Sequence, residues 1–253
     1  MRGLALAVLL VVLTACGDDA LDPGPLNVYA ASSLTEAFAE LEEIFEASHP
    51  GVDVAVTFAG SQVLRLQIEQ GAQADVFASA NPEHMEMLVD SGLVEESVVF
   101  AHNDLVVIVP PDNPSGIEEF GDIAHAQRVV LPTANVPAGD YARTVLARGN
   151  TVYEEGFEAI VMSRVVSEES NVRLARAKIE MGEADAAIVY RTDAGASDRV
   201  SVIEIPRELN VIADYTIAVV RSTRAPDAAA AWIALLQSAE GRAVLERHGF
   251  ILE

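Results

Sequence analysis

Two serines stand where an apolar run gives way to helical spacing, in Val28-Tyr29-Ala30-Ala31-Ser32-Ser33-Leu34-Thr35-Glu36. The arrangement recurs in outline at Val54-Ala55-Val56-Thr57-Phe58-Ala59-Gly60-Ser61-Gln62. The chemistry such places offer is anion capture. The first turn of a helix leaves backbone N–H groups without intrahelical partners and carries a partial positive charge. Two such ends aimed at one point hold an anion without any cation. Two more helix starts follow, after Val136-Pro137-Ala138-Gly139 and after Ser170-Asn171-Val172-Arg173. In the second, Ser170 or Asn171 caps the helix and the Val172 N–H points outward. Tyr190 ends the apolar run Ala186-Ala187-Ile188-Val189, which puts a phenol at the carboxyl end of a buried strand, where ligands of open α/β sheets gather. Each feature has a simpler reading. Ser33 opens Ser-x-x-Glu with Glu36, a capping box, and Ser61 can cap its own helix in the same way. Pro-Ala-Gly is ordinary loop chemistry, and a half-buried tyrosine finds a backbone partner.

The elements that must position these groups alternate. Strands are predicted at Leu26 to Ala30, Val52 to Phe58, Ala74 to Ser79, Leu105 to Val109, Arg128 to Pro132, Ala184 to Tyr190, Val200 to Ile205 and Tyr215 to Val220. Helices are predicted at Leu34 to Ser48, Gln62 to Gln70, Ala138 to Arg148, Val152 to Val165 and Asn171 to Met181. A further helix opens at Asn81-Pro82 and ends at Gly92, and two more lie between Pro226 and His248. Leu34, Ala37, Phe38, Leu41, Ile44 and Phe45 fall on one helical face, and His49-Pro50-Gly51 stops that helix. Alternating strands and helices imply parallel sheets covered by helices, an α/β fold. No internal repeat is evident.

The formal charge of −23 excludes nucleic acid as a partner, because no basic patch exists. It also means that the molecule as a whole repels anions, so an anion site must win locally. The five histidines, His49, His84, His102, His125 and His248, lack metal-ligand spacing and read as surface or packing residues. No metal cation ligands and no cofactor are expected. A serine hydrolase using Ser32 or Ser33 is the rival from another class. It is disfavoured, because there is no Gly-x-Ser-x-Gly elbow and no lysine three residues on.

The amino terminus reads as a signal peptide over residues 1–15. Arg2 precedes the apolar run Leu4 to Leu13, which is too short to span a bilayer. Leu13-Thr14-Ala15-Cys16-Gly17 resembles the lipobox of bacterial lipoproteins, which implies that Cys16 becomes a lipidated amino terminus. As the single cysteine, it has no internal disulfide partner. Residues 16–25, rich in Asp, Gly and Pro, then form a flexible tether, and the folded part is extracytoplasmic.

Taken together and in order, the serine runs, Gly71-Ala72-Gln73-Ala74-Asp75-Val76-Phe77-Ala78-Ser79-Ala80, Val136-Pro137-Ala138-Gly139-Asp140-Tyr141-Ala142, Asn171-Val172-Arg173 and Ile188-Val189-Tyr190-Arg191-Thr192-Asp193-Ala194 resemble the molybdate-binding proteins of bacterial ABC importers. The resemblance covers Leu26 to Glu253. It implies a two-lobed periplasmic-binding-protein fold of type II with the ligand cleft between lobes. Residues 26–105 plus 214–253 form one lobe and 106–213 the other, and the chain crosses near Leu105 and near Asp214. It further implies that Ser33, Ser61 and Tyr190 bind the oxyanion through hydroxyls, and Ala138 and Val172 through backbone N–H groups. Molybdate or tungstate is then the ligand, a membrane permease is the partner, and the protein is a monomer. Gly60 stands where some relatives carry serine, and Asp193 is expected to face away from the anion. Sulfate or an organic anion is the alternative ligand, and a sensory role without transport is another reading.

Overall fold

The structure, a computed structural model, describes residues 24–153 and 155–252. Cys16 and the signal-peptide run lie outside the described residues. The strands are β1 (Leu26–Ala31), β2 (Val54–Ala59), β3 (Val76–Ser79), β4 (Val98–Val109), β5 (Val129–Pro132), β6 (Val165–Glu169), β7 (Ala186–Tyr190), β8 (Ser201–Glu204) and β9 (Ile212–Val219). The helices are α1 (Thr35–Ser48), α2 (Ser61–Glu69), α3 (Pro82–Asp90), α4 (Pro137–Gly149), α5 (Phe157–Ser163), α6 (Val172–Glu180), α7 (Arg191–Gly195), α8 (Pro226–Gln237) and α9 (Ala239–Arg247). Among the described residues no helix is long and apolar enough to cross a membrane.

The strands join in the order β2-β1-β3-β9-β4-β7-β5-β6, with β8 also on β4. Strands β1, β2 and β3 run parallel, as do β5, β6 and β7. The expectation of purely parallel sheets needs correction, because β4 and β9 run antiparallel to their neighbours. At twelve residues, β4 is about twice the usual strand length and serves two halves of the sheet. Its first part, Val98 to Asp104, pairs with β9, and its second part, from Leu105 on, pairs with β7 and β8. The return passage lies between β8 and β9. There the Asn210 side chain imitates a strand: its Oδ1 accepts the Leu105 N–H at 3.2 Å and its Nδ2 donates to the Leu105 carbonyl at 2.8 Å. That amide ties the two passages between the sheet halves together.

Each half has its own aromatic packing. Trp232 of α8 sits edge-on to Phe38 and Phe45 of α1. In the other half Phe120, Tyr153 and Phe157 pack together. The helix expected over Val152 to Val165 is shorter than its apolar spacing suggests. Gly156 takes a left-handed conformation, φ 84°, just before α5, and Val165 already belongs to β6.

Candidate functional site

Ser33 follows β1 in a 3-10 turn, Ser32–Leu34, that leads into α1. It does not form the capping box its spacing allows. No side chain caps α1, Glu36 pairs instead with Arg173 of α6 at 2.5 Å, and the Ser33 hydroxyl lies 2.7 Å from the Tyr215 hydroxyl of β9. Ser61, the first residue of α2, does not cap its helix either. Its Oγ accepts the Ala80 N–H at 3.1 Å. Both local alternatives therefore give way to contacts from other strands. Gly60, before α2, has no room for a side chain: a Cβ there would lie 2.7 Å from the Ser170 carbonyl.

From the other half, Pro137 opens α4. The N–H groups of Gly139 and Asp140 return to the Val136 carbonyl. Proline has no N–H, and the N–H of fully buried Ala138 takes no part in these bonds to the Val136 carbonyl. A Cβ on Gly139 would stand 2.0 Å from the Thr133 carbonyl, so only glycine lets α4 begin this close to the end of β5. Asn171 caps α6 by accepting the Leu174 N–H at 3.1 Å, and Val172 is the first helical residue. Tyr190 ends β7, fully buried, with its hydroxyl donating to the Ala80 carbonyl at 3.4 Å.

These starts converge. A tight cavity of about 10 Å³ is lined by Ser33, Ser61, Ala138 and Tyr190, together with Gly60 and Ala80 among others. Val172 is buried but is not among the lining residues. Its helix packs against the Ser32–Leu34 turn, and the Gln62 amide donates to the Ser170 carbonyl at 2.9 Å just before it. His84 of α3 donates through Nε2 to the Asn135 carbonyl at 3.0 Å, and burial pushes the imidazole pKa down, which keeps it neutral. Glu36–Arg173, Gln62–Ser170, His84–Asn135 and Tyr190–Ala80 thus join the two sides around the cavity.

No charged side chain lines the cavity. Arg173 is engaged by Glu36, and Arg191 by Asp104 at 2.7 and 2.9 Å and by Glu204 at 2.8 and 2.7 Å. Burial pushes the Tyr190 and Tyr215 phenols well up, so both keep their protons and remain donors. Asp193 is buried outside the lining, and neither carboxylate oxygen has a hydrogen-bond partner. Among the described residues no cluster of His, Cys, Asp or Glu could hold a metal ion. Two roomier clefts are present, one that reaches Ser33 and Glu36 and extends to Arg247, and one beside Arg207. Their charges are largely spent on one another, as in Arg247–Glu40 and His102–Asp214.

Sequence reasoning assigned no role to Ala80, Asn103 or Tyr215. The one available signal was polar residues interrupting buried strands: Tyr215 and Thr216 precede the apolar run Ile217 to Val220, and Asn103 is fully buried in β4.

The arrangement has counterparts among known proteins. The molybdate-binding protein ModA of Mycobacterium tuberculosis is 35% identical over 260 residues, covering 98% of this chain and 96% of that protein. The putative ABC transporter substrate-binding lipoprotein YvgL of Bacillus subtilis is 30% identical, covering 90% of this chain and 86% of that protein. The solved periplasmic molybdate-binding protein of Azotobacter vinelandii shares the fold with a TM-score of 0.78 at 20% identity, covering 90% of this chain and 99% of that one. The fold is that of the periplasmic binding proteins. Residues 26–251 match the family described as bacterial extracellular solute-binding protein, and with ModA 35% identical over nearly the whole chain, this chain belongs to that family.

Proposed function

We propose that the protein captures molybdate, and tungstate equally well, in a cleft between two lobes and delivers it to the membrane permease of an ABC importer. The observation that carries this reading is a small buried cavity lined by hydroxyls and helix starts with no charged side chain. Such a site offers hydrogen-bond donors to every oxygen and no obligate acceptor. That suits a fully deprotonated tetrahedral dianion and penalises an oxyanion that keeps a proton. Ser33 and Ser61 donate hydroxyl protons, Tyr190 donates the proton that it turns away from its long 3.4 Å contact with the Ala80 carbonyl, and Ala138 and Val172 donate backbone N–H groups. Each such bond to a charged acceptor contributes about 1.5–3 kcal/mol. The lobes are residues 26–105 plus 214–253 and residues 106–213. The relatives named for molybdate and for ABC transport support the ligand class and the partner.

Calorimetry with four oxyanions tests the ligand. Molybdate and tungstate, nearly identical in size and charge, bind with similar affinity. Smaller sulfate leaves donors unpaired at about 1–3 kcal/mol each, so it binds at least about a hundredfold more weakly. Phosphate does the same because of its proton. Equal affinity for sulfate and molybdate removes the molybdate reading in favour of a general oxyanion binder. A hydrolytic role for Ser33 is poorly supported, since the group beside its hydroxyl is a phenol and not a base.

Cys16 carries the lipid that anchors this extracytoplasmic monomer to the cell membrane. Two or more acyl chains give stable anchoring, whereas one is marginal. Cys16→Ser is expected to move the protein into the soluble fraction after cell fractionation. Unchanged membrane association would exclude the anchor.

A further inference from the structure

We propose that Tyr215 and Asn103 are positioning residues that hold Ser33 as an obligate donor toward the oxyanion. The inference rests on the binding reading above and says how that site excludes protonated ligands.

The direction of the hydrogen bonds follows from one end of the chain. The Asn103 Oδ1 accepts the Asp104 N–H at 3.0 Å, which identifies the other amide atom as nitrogen. That nitrogen donates to Thr192 Oγ1 at 2.8 Å and faces the Tyr215 hydroxyl oxygen at 3.4 Å. The Tyr215 oxygen is therefore an acceptor on that side. Two hydroxyl oxygens are left to receive its own proton, Ser33 Oγ at 2.7 Å and that of Tyr190, whose proton goes to the Ala80 carbonyl, and we assign it to the short contact with Ser33. Burial pushes the Tyr215 phenol well up, so that proton stays in place near neutral pH. Ser33 Oγ thus receives a hydrogen bond from behind, and its own proton is directed to the cavity it lines.

Ser61 has the same arrangement built from backbone. Its Oγ receives the Ala80 N–H at 3.1 Å, and its proton is likewise left for the cavity. Both hydroxyls, free to rotate in an isolated serine, are thereby set as donors before the ligand arrives. A ligand O–H pointed at Ser33 deprives that proton of its acceptor, and an unmet buried donor is costly. A rotating hydroxyl, by contrast, accommodates either kind of oxygen.

A double-mutant cycle read by calorimetry tests this. Tyr215→Phe keeps the ring and removes the proton given to Ser33. It is expected to weaken molybdate binding about tenfold in the wild-type background, the scale of one hydrogen bond. In a Ser33→Ala background it changes affinity less than about twofold. A second variant, Asn103→Asp, reverses the chain. The carboxylate accepts the Tyr215 proton, Tyr215 then accepts from Ser33, and a lone pair faces the cavity. At pH 8 hydrogen phosphate is a dianion like molybdate, so the added charge acts on both alike. The molybdate-to-phosphate affinity ratio then falls in Asn103→Asp, but not when Ser33 is already alanine. If Tyr215→Phe costs the same with and without the Ser33 hydroxyl, or if the ratio is unmoved by Asn103→Asp, the positioning role is overturned while the molybdate site stands. If the unmodified protein does not bind molybdate at all, the binding reading fails and the inference falls with it.

Discussion

At pH 8, Asp193→Asn raises the unfolding free energy by up to about 4 kcal/mol, and near pH 4 it changes nothing. The carboxyl is fully buried with no hydrogen-bond partner on either oxygen. Burial raises its pKa from 3.8 to about 7, against the pull of Arg176 and Arg173, while Glu36 adds to the rise. Arg176 offers no direct bond, because its Nη1 donates to the Asp193 backbone carbonyl at 2.8 Å and its Nε faces Glu180 at 3.0 Å. A pKa raised on folding means that the folded state holds the proton more tightly than the unfolded chain. Stability therefore falls as pH climbs from about 4 to about 7 and is flat above. At about 1.4 kcal/mol per pH unit the whole displacement gives the figure above. Asparagine keeps the shape and stays neutral, so it escapes the loss. Urea unfolding of both proteins from pH 5 to pH 8.5 measures the gap. A gap of equal size at both ends means that the carboxylate is paired in solution and carries no buried charge. The Asp193 charge also reaches Tyr190 and Tyr215, so the substitution is expected to strengthen dianion binding above pH 7.

Element type was legible wherever periodicity was unbroken. The apolar face of α1 and the short strands β1 and β3 stand within two residues of expectation. The first half of β4 was not legible, because His102, Asn103 and Asp104 interrupt its apolar pattern. Those residues serve the crossing region: His102 meets Asp214 at 2.8 Å and Asp104 meets Arg191. Strand direction was not legible either, since alternation is the same for parallel and antiparallel neighbours. A short repeat also escaped notice. Asp75 and Asp185 each precede a buried strand and accept backbone N–H groups, from Asn27 at 2.8 Å and from Arg128 at 2.9 Å. Only an Ala-Asp pair is shared, too little to register in sequence. At the site, local spacing favoured a capping box at Ser33 as readily as a ligand. Its hydroxyl is claimed instead by a tyrosine 182 residues away, and no local pattern encodes a contact of that range.

Ala138→Pro is expected to weaken molybdate binding at least about a hundredfold, far more than Ala138→Ser, and Val172→Ala is expected to change it little. Helix α4 already begins with Pro137, and the N–H groups of Gly139 and Asp140 are satisfied by the Val136 carbonyl. A second proline at Ala138 removes no hydrogen bond from the helix, because the first positions of a helix have no intrahelical acceptor for their N–H groups. The loss falls on the ligand, which forfeits one charge-assisted bond of about 1.5–3 kcal/mol, and on the cavity, which the ring partly fills. Some strain falls on Pro137, since a residue before proline resists the helical conformation, so thermal unfolding of the variant belongs beside the calorimetry. Ala138→Ser leaves the N–H in place and adds one small hydroxyl. Val172→Ala alters a side chain while keeping the N–H that this reading assigns to the ligand. If Ala138→Pro keeps its fold and binds molybdate within about threefold of the unmodified protein, far less than the loss of a charge-assisted bond, that peptide N–H is not a ligand. The donor set must then be rebuilt around the hydroxyls of Ser33, Ser61 and Tyr190 with the Val172 N–H.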